Sequence, residues 1–158
     1  MRFRSCGQSE EKKPLFEVVA HTDEVYSLDF SPFNEFLLAS SSADENVSIW
    51  DIRNLTRSLM TFNGEKRSVI KVQWSPFNSC ILSAGGHGRN VDIWDVSRDS
   101  KEQEGSQLLY RHMGHRSKVL DLDWNPHEKL LLGSVEENNC MHLWQMSRHI
   151  YFEEEESK

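Results

Sequence analysis

The sequence of 158 residues contains few cysteines and few prolines, and it is short of positive charge. Its three cysteines, Cys6, Cys80 and Cys140, are odd in number and lack Cys-x-x-Cys spacing. This spacing argues against a disulfide framework and against a zinc site, and it favours a reducing compartment. No stretch has the length of a signal peptide core or of a membrane span, so we expect no membrane partner.

The formal net charge of -7 disfavours direct binding to nucleic acid, which depends on clustered Lys and Arg. It favours basic protein partners, which a negative surface attracts. Part of the charge is local, because Glu153, Glu154, Glu155 and Glu156 form an acidic run. We interpret residues 149–158 as an acidic C-terminal tail and residues 1–14 as a flexible N-terminal segment.

Motifs for catalysis are scarce as well. The stretch "SAGGHG" runs into "NVDIWD", which is typical of a strand, whereas a phosphate loop is followed by a helix. His112 and His115 lie three apart, and on a strand such residues point to opposite faces, so we expect no metal site with His142. No nucleophile, base and orienting acid form a plausible set. The sequence therefore predicts no catalytic residues, no cofactor and no enzyme activity.

A repeat organises the chain instead. Phe30 precedes Trp50 by twenty positions, and the same spacing separates Trp74 from Trp94 and Trp124 from Trp144. In each copy an alternating run, a Pro turn, an apolar run, a polar turn and a second alternating run predict three strands. Segments 58–62 and 107–111 fit a fourth strand. Four strands in a unit of about 40 to 45 residues indicate a β-propeller blade, so we predict an all-β partial propeller of about three four-stranded blades.

These motifs resemble WD40 repeats, in which a Gly-His pair precedes the first strand and Trp-Asp ends the third. Here Ala20-His21 precedes Trp50-Asp51, and Gly114-His115 precedes Trp144-Gln145. The resemblance implies a hydrogen-bonded network in each blade, formed in the first by His21, Ser40, Asp44 and Trp50. In the third it assigns His115, Ser134, Asn138 and Trp144, with Asn138 in the place of the aspartate. The second repeat has Glu65, Ala84 and Gly88 at these places and keeps only Trp94.

A closer resemblance covers about residues 15–156. "Trp144-Gln145-Met146", the ending "IYFEEEE" and "VQWSPFNSCIL" are similar to the last three blades of the histone-binding WD40 chaperones. The resemblance implies three WD40 blades within residues 15–148, with repeats at about 20–63, 64–113 and 114–148. Because those chaperones have seven blades, the chain is interpreted as a C-terminal piece or a short paralogue.

The same resemblance implies a nuclear interaction module, possible in the cytoplasm too, that works with subunits of chromatin complexes. Its propeller face would bind basic peptides such as the tails of histone H3 and H4. Counting back from the first-strand aromatics gives channel-mouth positions that include Leu120. The face residues carried over are Glu24, Tyr26, Ser68, Ile70, Lys118 and Glu137.

Three alternatives stay open. The stretch "IWDIR" matches a signature of WD40 substrate receptors that dock on the adaptor of cullin-4 ubiquitin ligases, with Arg53 as the docking residue. The chain could instead be an inactive truncated paralogue. Finally, residues 15–19 read as an outer strand, and two copies could each complete the third blade of the other, which would close a homodimeric ring.

Overall fold

The computed structural model describes residues 16–63, 67–98 and 107–147. In this part of the chain all regular structure is β, arranged in three antiparallel sheets that follow one another along the sequence. The first sheet has the order β1 (Val25–Phe30), β2 (Leu37–Ser42), β3 (Asn46–Asp51) and β4 (Met60–Asn63). The second has the order β5 (Val69–Trp74), β6 (Ile81–Gly86), β7 (Val91–Asp95) and β8 (Leu108–His112). The third contains β9 (Val119–Trp124), β10 (Leu131–Glu136) and β11 (Met141–Gln145).

The turns inside the sheets follow from short polar side chains. After β1, Ser31 accepts the amide of Phe33 on its hydroxyl and donates its own amide to the carbonyl of Leu37. Ser75 makes the same two contacts after β5, with Phe77 and Ile81. Such side chains bond to their own backbone two residues on, which fixes a tight turn. The repeated Ser-Pro-Phe-Asn motif therefore sets the same hairpin in the first two sheets.

The core lies between the sheets, which pack face to face. One buried cluster joins the first two sheets and includes Ala39, Val47, Phe62, Trp74 and Trp94. A second cluster joins the second and third sheets and contains Ile81, Val91, Ile93, Val119, Leu122, Trp124, Leu130, Leu132 and Met146. Apolar burial contributes about 25 cal/mol per Å² of covered surface, so these two joints hold the array together.

Polar contacts set the register between sheets. The carboxylate of Asp29 accepts the amide of Trp74 at 2.7 Å, and the side-chain oxygen of Gln73 accepts the amide of Trp124 at 3.1 Å. The two contacts are equivalent in the repeat, because Asp29 and Gln73 each precede the aromatic that ends the first strand. Burial raises the pKa of Asp29, which the bond from the Trp74 amide opposes.

The predicted partial propeller is confirmed in its all-β composition and its consecutive antiparallel sheets. The segments proposed as fourth strands, 58–62 and 107–111, overlap β4 and β8, each of which ends one residue later. The strand expected at residues 15–19 is wrong for the described residues 16–19, which form no strand. The partner that the prediction gave this segment is the third sheet of a second copy, so in a single chain it has no strand to pair with.

Several predictions lie outside the described residues. These are the N-terminal segment 1–14, the acidic tail 149–158 with Glu153 to Glu156, and Glu65 in the second repeat. Among residues 16–63, 67–98 and 107–147, no helix is long and apolar enough to cross a membrane.

Candidate peptide-binding face and the networks behind it

One end of the array is formed by the entrance to the first strand of each sheet and by the turn between its second and third strands. In every sheet the carbonyl just before the first strand accepts an amide from that turn. The three pairs are Ala43 N to Glu24 O at 2.8 Å, His87 N to Ser68 O at 3.0 Å, and Glu137 N to Lys118 O at 3.0 Å. The predicted face residues in these pairs therefore lie at one end of the array, which we call the entry face.

Each first strand carries a β-bulge at the entry face. The pairing register skips one residue in each strand, and the skipped residues are Tyr26, Ile70 and Leu120. A bulge turns its extra side chain out of the regular alternation, and bulges are common beside functional sites. Tyr26 is 43% exposed and Leu120 is 46% exposed, while Ile70 is partly buried. The bulges thus give the entry face a row of apolar and aromatic side chains, one from each sheet.

Acidic groups lie beside the two ends of this row. Glu24 is exposed, and a hydrogen bond with its carboxylate raises the pKa of the Tyr26 hydroxyl. In the third sheet, Glu137 accepts a bond from the hydroxyl of Ser117 at 3.3 Å and lies 3.9 Å from the ammonium of Lys118. Glu24 therefore offers its charge to a ligand more freely than Glu137, which shares its charge with Lys118.

The middle of the entry face is different. Ser68 donates its hydroxyl to the carbonyl of Ala43 at 3.4 Å, which links the first two sheets rather than facing a ligand. Arg67 and Arg89 are exposed next to it. A basic ligand would therefore be attracted at the first and third sheets and repelled at the second.

Behind the face, the first sheet contains a continuous polar network. The indole of Trp50 donates to the hydroxyl of Ser40 at 2.9 Å, and Nε2 of His21 lies 2.7 Å from that hydroxyl. Nδ1 of His21 lies 3.0 Å from the carboxylate of Asp44. Because a carboxylate only accepts, Nδ1 carries the proton and Nε2 accepts from Ser40. The chain of donors joins the third strand to the loop before β1 and satisfies four buried polar groups.

Asp44 also holds the loop itself. Its carboxylate accepts the amides of Thr22 and Asn46 at 3.0 and 3.1 Å. Burial alone would raise the pKa of Asp44, but the two amides and His21 bring it below its ordinary value. The ionised form is therefore the one that the fold requires.

The third sheet repeats the network with one correction. Trp144 donates its indole to Ser134 at 3.0 Å, and Nε2 of His115 lies 2.7 Å from the same hydroxyl. The expected acceptor Asn138 is exposed, and the buried carboxylate of Glu136 takes its place. Glu136 accepts the loop amides of Arg116 and Ser117 at 2.7 and 3.0 Å, as Asp44 does in the first sheet.

The contact between Glu136 and the ring of His115 is longer than the contact between Asp44 and His21 in the first sheet. Nδ1 of His115 lies 3.3 Å from Oε2 of Glu136 without the geometry of a hydrogen bond. The loop amides, first that of Ser117, lower the pKa of Glu136. The assignment of Asn138 to this network was therefore wrong, because the carboxylate comes from Glu136 instead.

The second sheet lacks the network. Its tryptophan, Trp94, is buried, and the indole nitrogen has no hydrogen-bond partner among the described residues. Ala84 occupies the position that Ser40 and Ser134 have in the other sheets. In each sheet this position lies two residues after the residue that is paired with the tryptophan. An alanine supplies no acceptor, so the indole of Trp94 is held by packing, including its contact with Phe62 at a ring distance of 5.4 Å.

The WD40 family (WD domain, G-beta repeat) matches three segments of the chain, residues 12–51, 56–95 and 106–145. The chain belongs to the WD40 family. Each matched segment ends at the strand that carries the network tryptophan, so the match and the three sheets share one period. WD40 domains typically act as protein-interaction modules rather than as enzymes, and the repeats support that general role here.

Two unusual residues of the last WD40 repeat have structural roles. Gln145, which replaces the aspartate of Trp-Asp, donates its side-chain amide to the carbonyl of Lys129 at 2.9 Å. Met146 is 2% exposed and fills the core between the second and third sheets. The Trp144-Gln145-Met146 motif thus anchors the end of β11 to the hairpin before β10 and to the core.

Arg53 lies at the end of the first WD40 repeat, away from the entry face. Its guanidinium makes two hydrogen bonds to Asp51, from Nε at 2.9 Å and from Nη2 at 2.7 Å, and lies 4.4 Å above the ring of Phe36. These bonds lower the pKa of Asp51 to about 2. The Arg53 side chain remains 61% exposed. It is therefore a fixed planar cation with donors still open to a partner.

The histidines that sequence spacing separated come together in the WD40 fold. His112 ends β8 and His115 lies in the loop that follows, so the opposite-face rule for a strand does not apply to this pair. One ring nitrogen of each of His112, His115 and His142 lies within 4.8 Å of the other two. The argument against a metal at this place was therefore wrong in its geometry.

Proposed function

We propose that this WD40 chain is a histone-tail-binding module of chromatin complexes, and that the entry face is its peptide site. The observation that carries the proposal is the bulged row of Tyr26, Ile70 and Leu120, bordered by the carboxylates of Glu24 and Glu137. An extended basic peptide needs apolar contacts for its aliphatic stems and carboxylates for its charged heads. The net charge of -7 adds long-range attraction for such a ligand. Nuclear localisation follows as part of the same proposal.

Charge reversal at the two carboxylates tests this proposal. We expect the double substitution Glu24→Lys and Glu137→Lys to weaken binding of an H3 or H4 tail peptide by about tenfold or more, because close charge pairs contribute over 1 kcal/mol in such contacts. Isothermal titration calorimetry at two salt concentrations measures it. Wild-type affinity should fall as salt rises, since exposed charges are screened over about 8 to 10 Å.

The matched control reverses two carboxylates on the same two sheets, at the end of the array opposite the entry face. Glu35 and Glu128 are exposed in the hairpins after β1 and β9. Glu35→Lys with Glu128→Lys gives the same net charge as the entry-face double variant and should retain at least half the affinity. If both double variants lose affinity equally, the peptide is held by overall charge and not by the entry face.

A second candidate function is docking on the adaptor of a cullin-4 ubiquitin ligase through Arg53. The observation that favours it is the fixed, exposed guanidinium beside Asp51. We expect Arg53→Ala to abolish retention by the adaptor in a pull-down and to raise the pKa of Asp51 from about 2 towards its ordinary 3.8. Arg57→Ala, at an exposed arginine in the following loop, is the control. Equal retention of the Arg53 variant and wild type would exclude this mode of docking.

A homodimer is the third proposed partnership. The edge strand β11 exposes the side chains of Met141 and Leu143. Near the start of the described chain, the side chains of Phe16 and Val19 are exposed as well. Pairing of residues 15–19 of one copy with β11 of another would cover both sets. Gel filtration with light scattering should show a dimer that Leu143→Lys converts to monomer, because a buried unpaired charge is costly. A wild-type monomer would contradict this arrangement.

A further inference from the structure

The histidine cluster lies outside the entry face and belongs to two sheets. His112 ends the outer strand of the second sheet, and His142 lies on the edge strand β11 of the third. Nε2 of His112 and Nδ1 of His142 are 3.2 Å apart. Two ligands of a tetrahedral metal, each at 2.0 to 2.1 Å from it, are separated by about 3.3 Å. The pair therefore has the nitrogen separation of a chelating site.

The ring orientations favour this pair over the full set of three. The planes of His112 and His142 are 86° apart and their facing nitrogens are hydrogen-bonded, so a metal would replace the proton that the two nitrogens share. The rings of His115 and His142 are stacked at 4.1 Å and 12°, which places their nitrogens in two nearly parallel planes. His115 is also held by Ser134. Its ring therefore supports His142 from one side.

Gly114 keeps the space beside the two nitrogens open. A Cβ on this residue would lie 2.7 Å from Nε2 of His112 and 3.0 Å from Nδ1 of His142. The first repeat has Ala20 at the same place before His21, so the fold accepts a methyl group there. Gly114 thus leaves open, beside the two nitrogens, the space that the methyl group of Ala20 occupies in the first repeat.

Both histidines can reach solvent. His112 and His142 are partly exposed, so a metal can enter and can keep water as its remaining ligands. Burial lowers the pKa of His112, and the neighbouring His115 and His142 lower it further. Neutral imidazole is the form that binds metals. The ring of His112 stacks on Trp144 at 4.3 Å and 5°, which fixes its direction.

We propose that His112 and His142 chelate a divalent transition metal, Zn²⁺ in the first instance, and thereby connect the second WD40 sheet to the edge strand of the third. Imidazole ligands suit Zn²⁺, Cu²⁺ and Ni²⁺, whereas Mg²⁺ and Ca²⁺ prefer oxygen. A metal that binds the folded state alone raises stability by mass action. The site would thus stabilise the last sheet of the array in a metal-dependent way.

Titration of the full chain with ZnCl2 tests the site. We expect calorimetry to show one equivalent bound at pH 7.5, a higher melting temperature with Zn²⁺, and no such effect of MgCl2. His112→Ala and His142→Ala should each weaken Zn²⁺ binding about tenfold or more, and His127→Ala, at an exposed histidine of the same repeat, should leave it unchanged. NiCl2 should quench tryptophan fluorescence in wild type, because Trp144 lies against His112.

Gly114→Ala separates chelation from folding. It adds a methyl group that displaces the ring of His112 while the contact of His115 with Ser134 is retained, so it should abolish Zn²⁺ binding in a metal-free chain that still melts cooperatively. Wild type that binds no Zn²⁺, or that binds it no better than the His112 and His142 variants, overturns the proposal. So does an equal loss in His127→Ala.

Discussion

Replacing Ser40 by alanine is expected to lower the free energy of unfolding by about 2 to 4 kcal/mol, because two buried groups lose their partner at once. The hydroxyl of Ser40 accepts the indole of Trp50 and bonds Nε2 of His21, and no other partner for either atom lies in the described network. Denaturant unfolding followed by tryptophan fluorescence measures the change.

Ser41 supplies the control on the same strand. Its hydroxyl is buried without a hydrogen-bond partner among the described residues, so Ser41→Ala removes an unsatisfied group and should be neutral or slightly stabilising. The reverse change in the second sheet, Ala84→Ser, gives the buried indole of Trp94 an acceptor and should add up to about 1 kcal/mol. Equal losses for Ser40→Ala and Ser41→Ala would show that the polar network does not stabilise the first sheet.

Replacing Glu136 by alanine is expected to lower the melting temperature by roughly 3 to 8 °C, because the amides of Arg116 and Ser117 lose their acceptor. Asn138→Ala should leave the melting temperature unchanged, since Asn138 is exposed. Differential scanning calorimetry of both variants decides which residue anchors the loop before β9. A larger effect of Asn138→Ala would restore the position that the sequence pattern favoured.

The effect of Glu136 should also depend on pH. Its pKa is lowered in the fold, so its contribution is present above the ordinary value of 4.5 and is lost as pH falls through the folded-state pKa. The difference between wild type and Glu136→Ala should therefore shrink on acidification below pH 4.5. A difference that stays constant down to low pH would contradict an ionised carboxylate at this position.

The repeat made most of the fold predictable. The tryptophan spacing and the Ser-Pro-Phe-Asn hairpins placed eleven strands in three sheets, because period-two alternation and turn residues act locally. The segment at 15–19 differs because its alternation alone does not form a strand, and in a single chain the described residues 16–19 have no neighbouring strand to pair with. A local pattern gives the conformation that a segment favours, but a strand forms only where another strand pairs with it.

The networks were predictable only where side chains kept their positions. His21, Ser40, Asp44 and Trp50 follow the family spacing and contact one another. Glu136 occupies the place that Ser42 has in the first sheet, and its longer side chain reaches the loop amides from there. Counting positions along the repeat assigned the acceptor role to Asn138. The longer side chain of Glu136 fills that role from a position two residues earlier.

The contact between the three histidines was rejected from the sequence for a further reason. His112 and His142 come from different sheets, so their contact is a product of sheet packing that no spacing within one repeat reveals. The sequence pattern placed Tyr26, Ile70 and Leu120 at the channel mouth, but it did not predict the β-bulges at these residues.

Amide chemical-shift mapping with an H3 tail peptide tests the proposed function most directly, since it locates the ligand on the folded chain without any substitution. We predict that the largest shifts fall at Tyr26, Ile70, Leu120 and the turn at Glu137, at the entry face. The absence of shifts at saturating peptide, or shifts concentrated in the hairpins at Glu35 and Glu128, would contradict the assignment of this face as the peptide site.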